Sequence, residues 1–101
     1  MSSEIARAQI DALAGAPILE FGATWCDYCK AAQPIIASAL INHSDVKHIK
    51  IEDGRGKRLG RSYDVKLWPT LVFLKNGIEI ARIVRPTDSA EIAEALKLLK
   101  L

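Results

Sequence analysis

The chain contains two cysteines, Cys26 and Cys29, with two residues between them. This spacing suits two kinds of chemistry. At the start of a helix it puts both sulfurs within one turn, so a mixed disulfide formed on the first can be displaced by the second. On a hairpin, with two histidines following, it suits a zinc ion. The surrounding residues favour the helix. Ile18 to Phe21 is an apolar run broken only by Glu20, as in a buried strand. From Cys26 to Ile41 the apolar positions Cys29, Ala32, Ile36 and Leu40 recur at helical intervals, disturbed only by Pro34. Cys26 therefore opens a helix, where free amides and the positive end of the dipole favour a thiolate; the pKa of a thiol so placed can fall to about 3.5 to 7.5. Cys29 lies deeper, on the apolar stripe. The expected roles are attack by Cys26 and resolution by Cys29.

The rest of the chain reads as a frame for that pair. Ala6, Ile10 and Leu13 recur at helical spacing, with Ser2 or Ser3 as a cap and Gly15 and Pro17 as the stop. Val46 to Glu52 alternates, with Ile49 and Ile51 on one face and Val46, His48, Lys50 and Glu52 on the other. A loop rich in glycine and basic residues follows, with a short helix near Lys57 to Tyr63. Thr70 to Leu74 reads as a central strand, and Asn76-Gly77 turns it into Ile78 to Val84. Asp88 and Glu91 have capping-box spacing ahead of Ile92, Leu96 and Leu99. A right-handed crossover makes the first two strands parallel, and the hairpin makes the last two antiparallel. The expectation is a single α/β domain over 1–101, with a central mixed sheet of about four strands flanked by helices.

Composition narrows the function. The chain has 101 residues, half of them hydrophobic, a formal net charge of +2, and no apolar run long enough for a membrane span. Charge alone gives no case for nucleic acid, and two cysteines are too few for a stapled secreted scaffold. The N-terminal residues lack the basic and apolar regions of a signal peptide. A cytoplasmic location and a reducing direction are therefore expected.

Trp25-Cys26-Asp27-Tyr28-Cys29-Lys30, with Pro34 beyond, resembles the active-site segment of the thioredoxin family, and Trp68-Pro69-Thr70 falls at that family's cis-proline. The resemblance covers residues 4 to 101. It implies a thioredoxin-like three-layer fold that lacks the common N-terminal strand. It also implies thiol-disulfide exchange with protein disulfides and an upstream electron donor, with no cofactor beyond the redox-active sulfur pair. Pro69 would be cis and face the sulfurs, and the backbone of Trp68 would pair with an extended substrate. Glu20 falls where the family keeps a buried acid. A carboxylate in an apolar strand is desolvated, so its pKa should rise and it could take the proton of Cys29. Its basic partner would be His48 or Lys50; the plainer readings are a water-facing edge carboxylate for Glu20 and a surface residue for His48.

This sequence departs from the family pattern at several positions. Asp27-Tyr28 replaces Gly-Pro, and an anion beside Cys26 opposes its thiolate and makes the dithiol a better reductant. Arg85 stands in place of a glycine and would act in the opposite sense if it reached the sulfur. Trp25, Tyr28 and Trp68 make the presumed docking surface aromatic, which suits peptide partners. Arg55, Lys57, Arg58 and Arg61 read as a solvated surface or as a dock for an acidic partner. Three other functions compete. A glutathione-linked, glutaredoxin-like role lacks a Gly-Gly pair after the last strand, and a non-catalytic module would not need both cysteines. A zinc site of Cys26, Cys29, His43 and His48 has acceptable spacing, but its cysteines open a helix and its histidines flank a strand.

Overall fold

The computed structural model describes residues 5–99. Its elements are α1 (Arg7–Asp11), β1 (Ile18–Gly22), α2 (Asp27–Leu40), β2 (His48–Glu52), α3 (Arg58–Ser62), β3 (Thr70–Lys75), β4 (Ile78–Val84) and α4 (Ser89–Leu99). The four strands lie in the order β2-β1-β3-β4. β1 is parallel to β2 and antiparallel to β3, and β3 is antiparallel to β4. The mixed sheet expected from the crossover and the hairpin is therefore present. Asn76 and Gly77 carry the positive φ values, 50° and 83°, that a tight hairpin turn asks of them.

Strand alternation divides the core into two layers. Leu19, Phe21, Val72 and Leu74 face one side of the sheet, where Ile10 of α1, Leu59 of α3 and Tyr63 just past the end of α3 cover them. Ile18, Leu71 and Phe73 face the other, against Ala32 and Ile36 of α2 and Ile92, Ala95, Leu96 and Leu99 of α4. Glu20 and Gly22 have the parity of Ile18, so both point towards α2.

The helices begin and end where local chemistry dictates. Asp88 Oδ1 accepts from the amides of Ala90 and Glu91 at 2.8 and 3.2 Å, while Glu91 Oε1 accepts from the Asp88 amide at 3.3 Å, a reciprocal box that starts α4. Helix α1 is shorter than the periodicity predicts: it ends at Asp11, before Leu13. At its start the Ala6 amide donates to Gln9 Oε1 at 2.8 Å, and the expected caps Ser2 and Ser3 lie outside the described residues. Among the described residues, no helix is long and apolar enough to cross a membrane.

Candidate active site

Cys26 caps α2. Its backbone is extended, with φ −81° and ψ 118°, and its Sγ accepts a hydrogen bond from the Cys29 amide at 3.2 Å. Both cysteines are free and buried. Cys29 rests on the end of β1 at a point where a side chain would displace it, since a Cβ at Gly22 would lie 2.7 Å from its Sγ.

One helical turn further on, Gln33 sits over Glu20 in the same way that Cys29 sits over Gly22. Two residues along a strand advance about 6.6 Å and four along a helix about 6.0 Å, so these pairs fall into step. Gln33 Nε2 donates to Glu20 Oε2 at 2.8 Å and to the Cys29 carbonyl at 3.0 Å. On the other side of the carboxylate, His48 Nε2 lies 2.6 Å from Glu20 Oε1. Lys50 Nζ donates to Gln33 Oε1 at 2.9 Å and closes the network.

Glu20 is 5% exposed, on an interior strand, so the water-facing edge reading of it fails. The expected rise in its pKa is overturned as well. Burial does push the carboxyl up, but hydrogen bonds from His48 and Gln33, with the charges of His48 and Lys50, outweigh burial and hold it below 4.5. Cys29 moves the other way. Its thiol is pushed up to about 11, by burial first, then by its hydrogen bond with Cys26 and the nearby charges of Cys26 and Glu20. Glu20, Gly22, Cys29 and Gln33 line one cavity of about 360 Å³.

The outer rim is aromatic. Trp25 and Tyr28 are 69% and 59% exposed, and Trp25 meets the ring of Trp68 edge-on at 5.5 Å between centroids. The Trp68–Pro69 peptide bond is cis, and Trp68 packs against Ala23, Cys26 and Cys29. Its indole N–H donates to Asp53 Oδ2 at 2.9 Å. Arg85 meets the rim through Trp68 and Tyr28: Nε donates to the Trp68 carbonyl at 2.8 Å, and the guanidinium carbon lies 3.7 Å from the centre of the Tyr28 ring. Asp27 is exposed in the first turn of α2.

A family model described as Thioredoxin matches residues 4–98. The chain belongs to the thioredoxin family. Thioredoxin-1 of Caenorhabditis elegans is 40% identical over 60 residues, 59% of this chain and 52% of that protein. Thioredoxin H5 of Oryza sativa subsp. japonica is 33% identical over 67 residues, 66% of this chain and 50% of that protein. The chain thus spans about half the length of these curated relatives. Over the whole fold, the reduced form of thioredoxin 2 from Pseudomonas aeruginosa PAO1 superposes with a TM-score of 0.86 at 50% identity, covering 97% of this chain and 92% of that one. The thioredoxin architecture is therefore shown, with four strands among the described residues.

Within this thioredoxin frame the fold brings Trp68 against Cys26 and Cys29, Trp25 and Arg85 against Trp68, and Arg85 over Tyr28, while Glu20 shares a cavity with Cys29 and the Pro69 carbonyl accepts from the Arg85 amide. His43 and His48 do not join the cysteines: among the described residues no three His, Cys, Asp or Glu side chains cluster as metal ligands would. Sequence reasoning overlooked Gln33, Gly22, Asp53 and Gly60. Gln33 follows Cys29 by four residues and Gly22 follows Glu20 by two, so helix and strand periods could have found both. Asp53 and Gly60 carry no comparable signal. They meet because a Cβ at Gly60 would run into the Asp53 carboxylate, which lies against α3 and reaches Trp68 from there.

Proposed function

We propose that the chain is a thiol-disulfide oxidoreductase that reduces disulfides in proteins through Cys26 and Cys29. The observation that carries this reading is the stacked arrangement of the two thiols: Cys26 at the helix start with an amide on its sulfur, and Cys29 behind it against Gly22, on a buried carboxylate network.

Cys26 thiolate attacks one sulfur of the substrate disulfide. That bond breaks, one substrate sulfur leaves as a thiolate and takes a proton from solvent, and the other stays bonded to Cys26. Cys29 must now lose its proton. Two of the influences that hold the proton on, the hydrogen bond with Cys26 and the Cys26 charge, lapse once Cys26 is in the mixed disulfide. Burial persists, so a base is still needed. Glu20, held ionised by His48 and Gln33, takes the proton through water in the cavity it shares with Cys29; at about 30 Å³ per water the space is ample. Cys29 then attacks Cys26 Sγ, closes the Cys26–Cys29 disulfide and expels the second substrate thiolate, which takes a proton from solvent as Glu20 returns the one it accepted to the water. Two electrons pass to the substrate, and an upstream dithiol donor returns them to the chain. The sulfur pair carries both electrons, so the cycle calls for no cofactor. A reducing compartment, the cytoplasm, suits a protein whose two cysteines are both spent on this pair.

Equilibrating the protein with glutathione and dithiothreitol buffers tests the direction. A potential near about −270 mV supports a reductase, and one approaching about −120 mV overturns the reducing assignment. Cys29→Ser should accumulate mixed disulfides through Cys26, visible as mass adducts that dithiothreitol removes. The absence of any adduct on Cys26, the one cysteine this variant retains, would overturn the exchange reading itself.

A further inference from the structure

We propose that Arg85 is a specificity-determining residue that selects polypeptide disulfides flanked by acidic side chains. This rests on the exchange reading above, and supplies the substrate class that reading leaves open.

Arg85 has φ +52°, a left-handed backbone that a glycine adopts freely and other residues uncommonly do. A strained arginine at a rim is an observation that asks for a function. The backbone and two contacts place the side chain: the Arg85 amide donates to the Pro69 carbonyl at 2.9 Å, Nε to the Trp68 carbonyl at 2.8 Å, and the guanidinium carbon stands over the Tyr28 ring at 3.7 Å from its centre. The group is thus locked between the two segments that flank Cys26. Of its N–H groups only those on Nη1 and Nη2 remain unspent, and they form the fork that matches a carboxylate. Among the described residues no carboxylate pairs with it, and Asp27, the acid nearest in sequence to Cys26, makes no ion pair.

A second set of cations lies on the far side of Trp68. The Trp68 ring helps wall a cavity of about 310 Å³ together with Arg55, Lys57 and Arg61, none of which has an ion-pair partner among the described residues. Both carboxylates lining that cavity are engaged, Asp53 by the Trp68 indole and Asp64 by Lys66 at 3.1 Å. Trp68 therefore meets Arg85 through its carbonyl and the basic cavity through its ring, and Trp25 stands exposed against it. The formal net charge of the whole chain is only +2, so this is a local field made by the fold. An extended segment crossing Cys26 would lay its backbone and apolar atoms on the tryptophans and its acidic side chains towards these cations.

Three disulfide peptides that differ only in flanking residues, Glu, Ser or Lys, test the proposal with the full chain. The expected order of kcat/KM is Glu over Ser over Lys, with Glu over Lys by about tenfold or more at low salt, shrinking at high salt as screening predicts. Arg85→Gly should lower the Glu-to-Lys ratio at least threefold, Arg85→Lys less, and Arg55→Ser with Lys57→Ser and Arg61→Ser should lower it independently. The triple variant keeps the test open if a change at Arg85 disturbs folding. Equal rates for the three peptides in the unmodified chain overturn this proposal and leave exchange standing, as does a Glu-to-Lys ratio that survives every variant. Glutathione disulfide reduced as fast as the Glu peptide also overturns it, because the carboxylates of a small molecule would then suffice. Failure to reduce any of the three overturns the exchange reading and this proposal with it.

Discussion

Behind the sulfurs, a buried carboxylate is satisfied by partly buried partners, Glu20 by His48 and Gln33, and Gln33 in turn bonds the Cys29 carbonyl and the exposed Lys50. In front of them, the aromatic rings are exposed, and the groups holding them reach in from distant segments: Asp53 to Trp68, and Arg85 to the Trp68 carbonyl and to Tyr28. The inner region is built for proton management, because burial of Glu20 strengthens the interactions made to it and both its oxygens are paired. The outer region is built for recognition, because rigid rings and an unneutralised guanidinium offer area and charge to a partner. Changes in the inner region should therefore alter rates and pH profiles, and changes in the outer region should alter selectivity.

Five substitutions would break or sharpen that contrast. Cys26→Ser should reduce disulfide turnover to background in a thiol-release assay, the largest loss of the set. Glu20→Gln should come next, slowing resolution about 100-fold as loss of a general base does. Stopped-flow separation of the two steps checks this, and an equal slowing of attack would make Glu20 a structural group only. The same variant has a signature in stability. Glu20 is held below 4.5 in the folded chain, so it binds fewer protons folded than unfolded; unfolding takes up protons and acid favours it. Its stabilising contribution is present above about pH 4.5 and lost as pH falls through the folded value, so denaturant midpoints of the unmodified chain and Glu20→Gln should converge on acidification.

Gly22→Ala should have a smaller effect. The added methyl would stand 2.7 Å from Cys29 Sγ, so the sulfur must shift, with several-fold slower resolution and about 1–3 kcal/mol of lost stability in denaturant unfolding. Trp68→Phe should have the smallest, about 1 kcal/mol for the lost indole hydrogen bond, with little change in proton-dependent rates. Asp53→Ala combined with it should be non-additive, because each variant removes the same indole-to-carboxylate hydrogen bond.

Much of the inner region was legible in the chain. Glu20 interrupts an apolar strand, Cys29 lies on a helical stripe, and the two periods bring them to one face. The choice between His48 and Lys50 was not legible. Lys50 is the direct register partner of Glu20 across β1 and β2, yet the carboxylate pairs with His48 from a diagonal position. The sign of the Glu20 shift was missed for the same reason. Burial is visible as an apolar context, whereas the donors that outweigh it come from α2 and β2.

The outer region was legible only as a set of residue types. Trp25, Tyr28, Trp68 and Arg85 were recognisable as rim residues, but nothing in their order said that Asp53 would hold the Trp68 indole or that Arg85 would be locked on Tyr28 without an acid. By itself the sequence determined the elements, their order, the parallel and antiparallel pairings and the position of the cysteine pair at a helix start. Those follow from periods and turns, which act over a few residues. Tertiary structure alone decided which cation meets Glu20, where the free charge of Arg85 stands and how the basic loop sits against Trp68. Those contacts join segments far apart in the chain, 28 residues for His48 and Glu20 and more for Arg85 and Tyr28, and depend on side-chain reach across the assembled sheet.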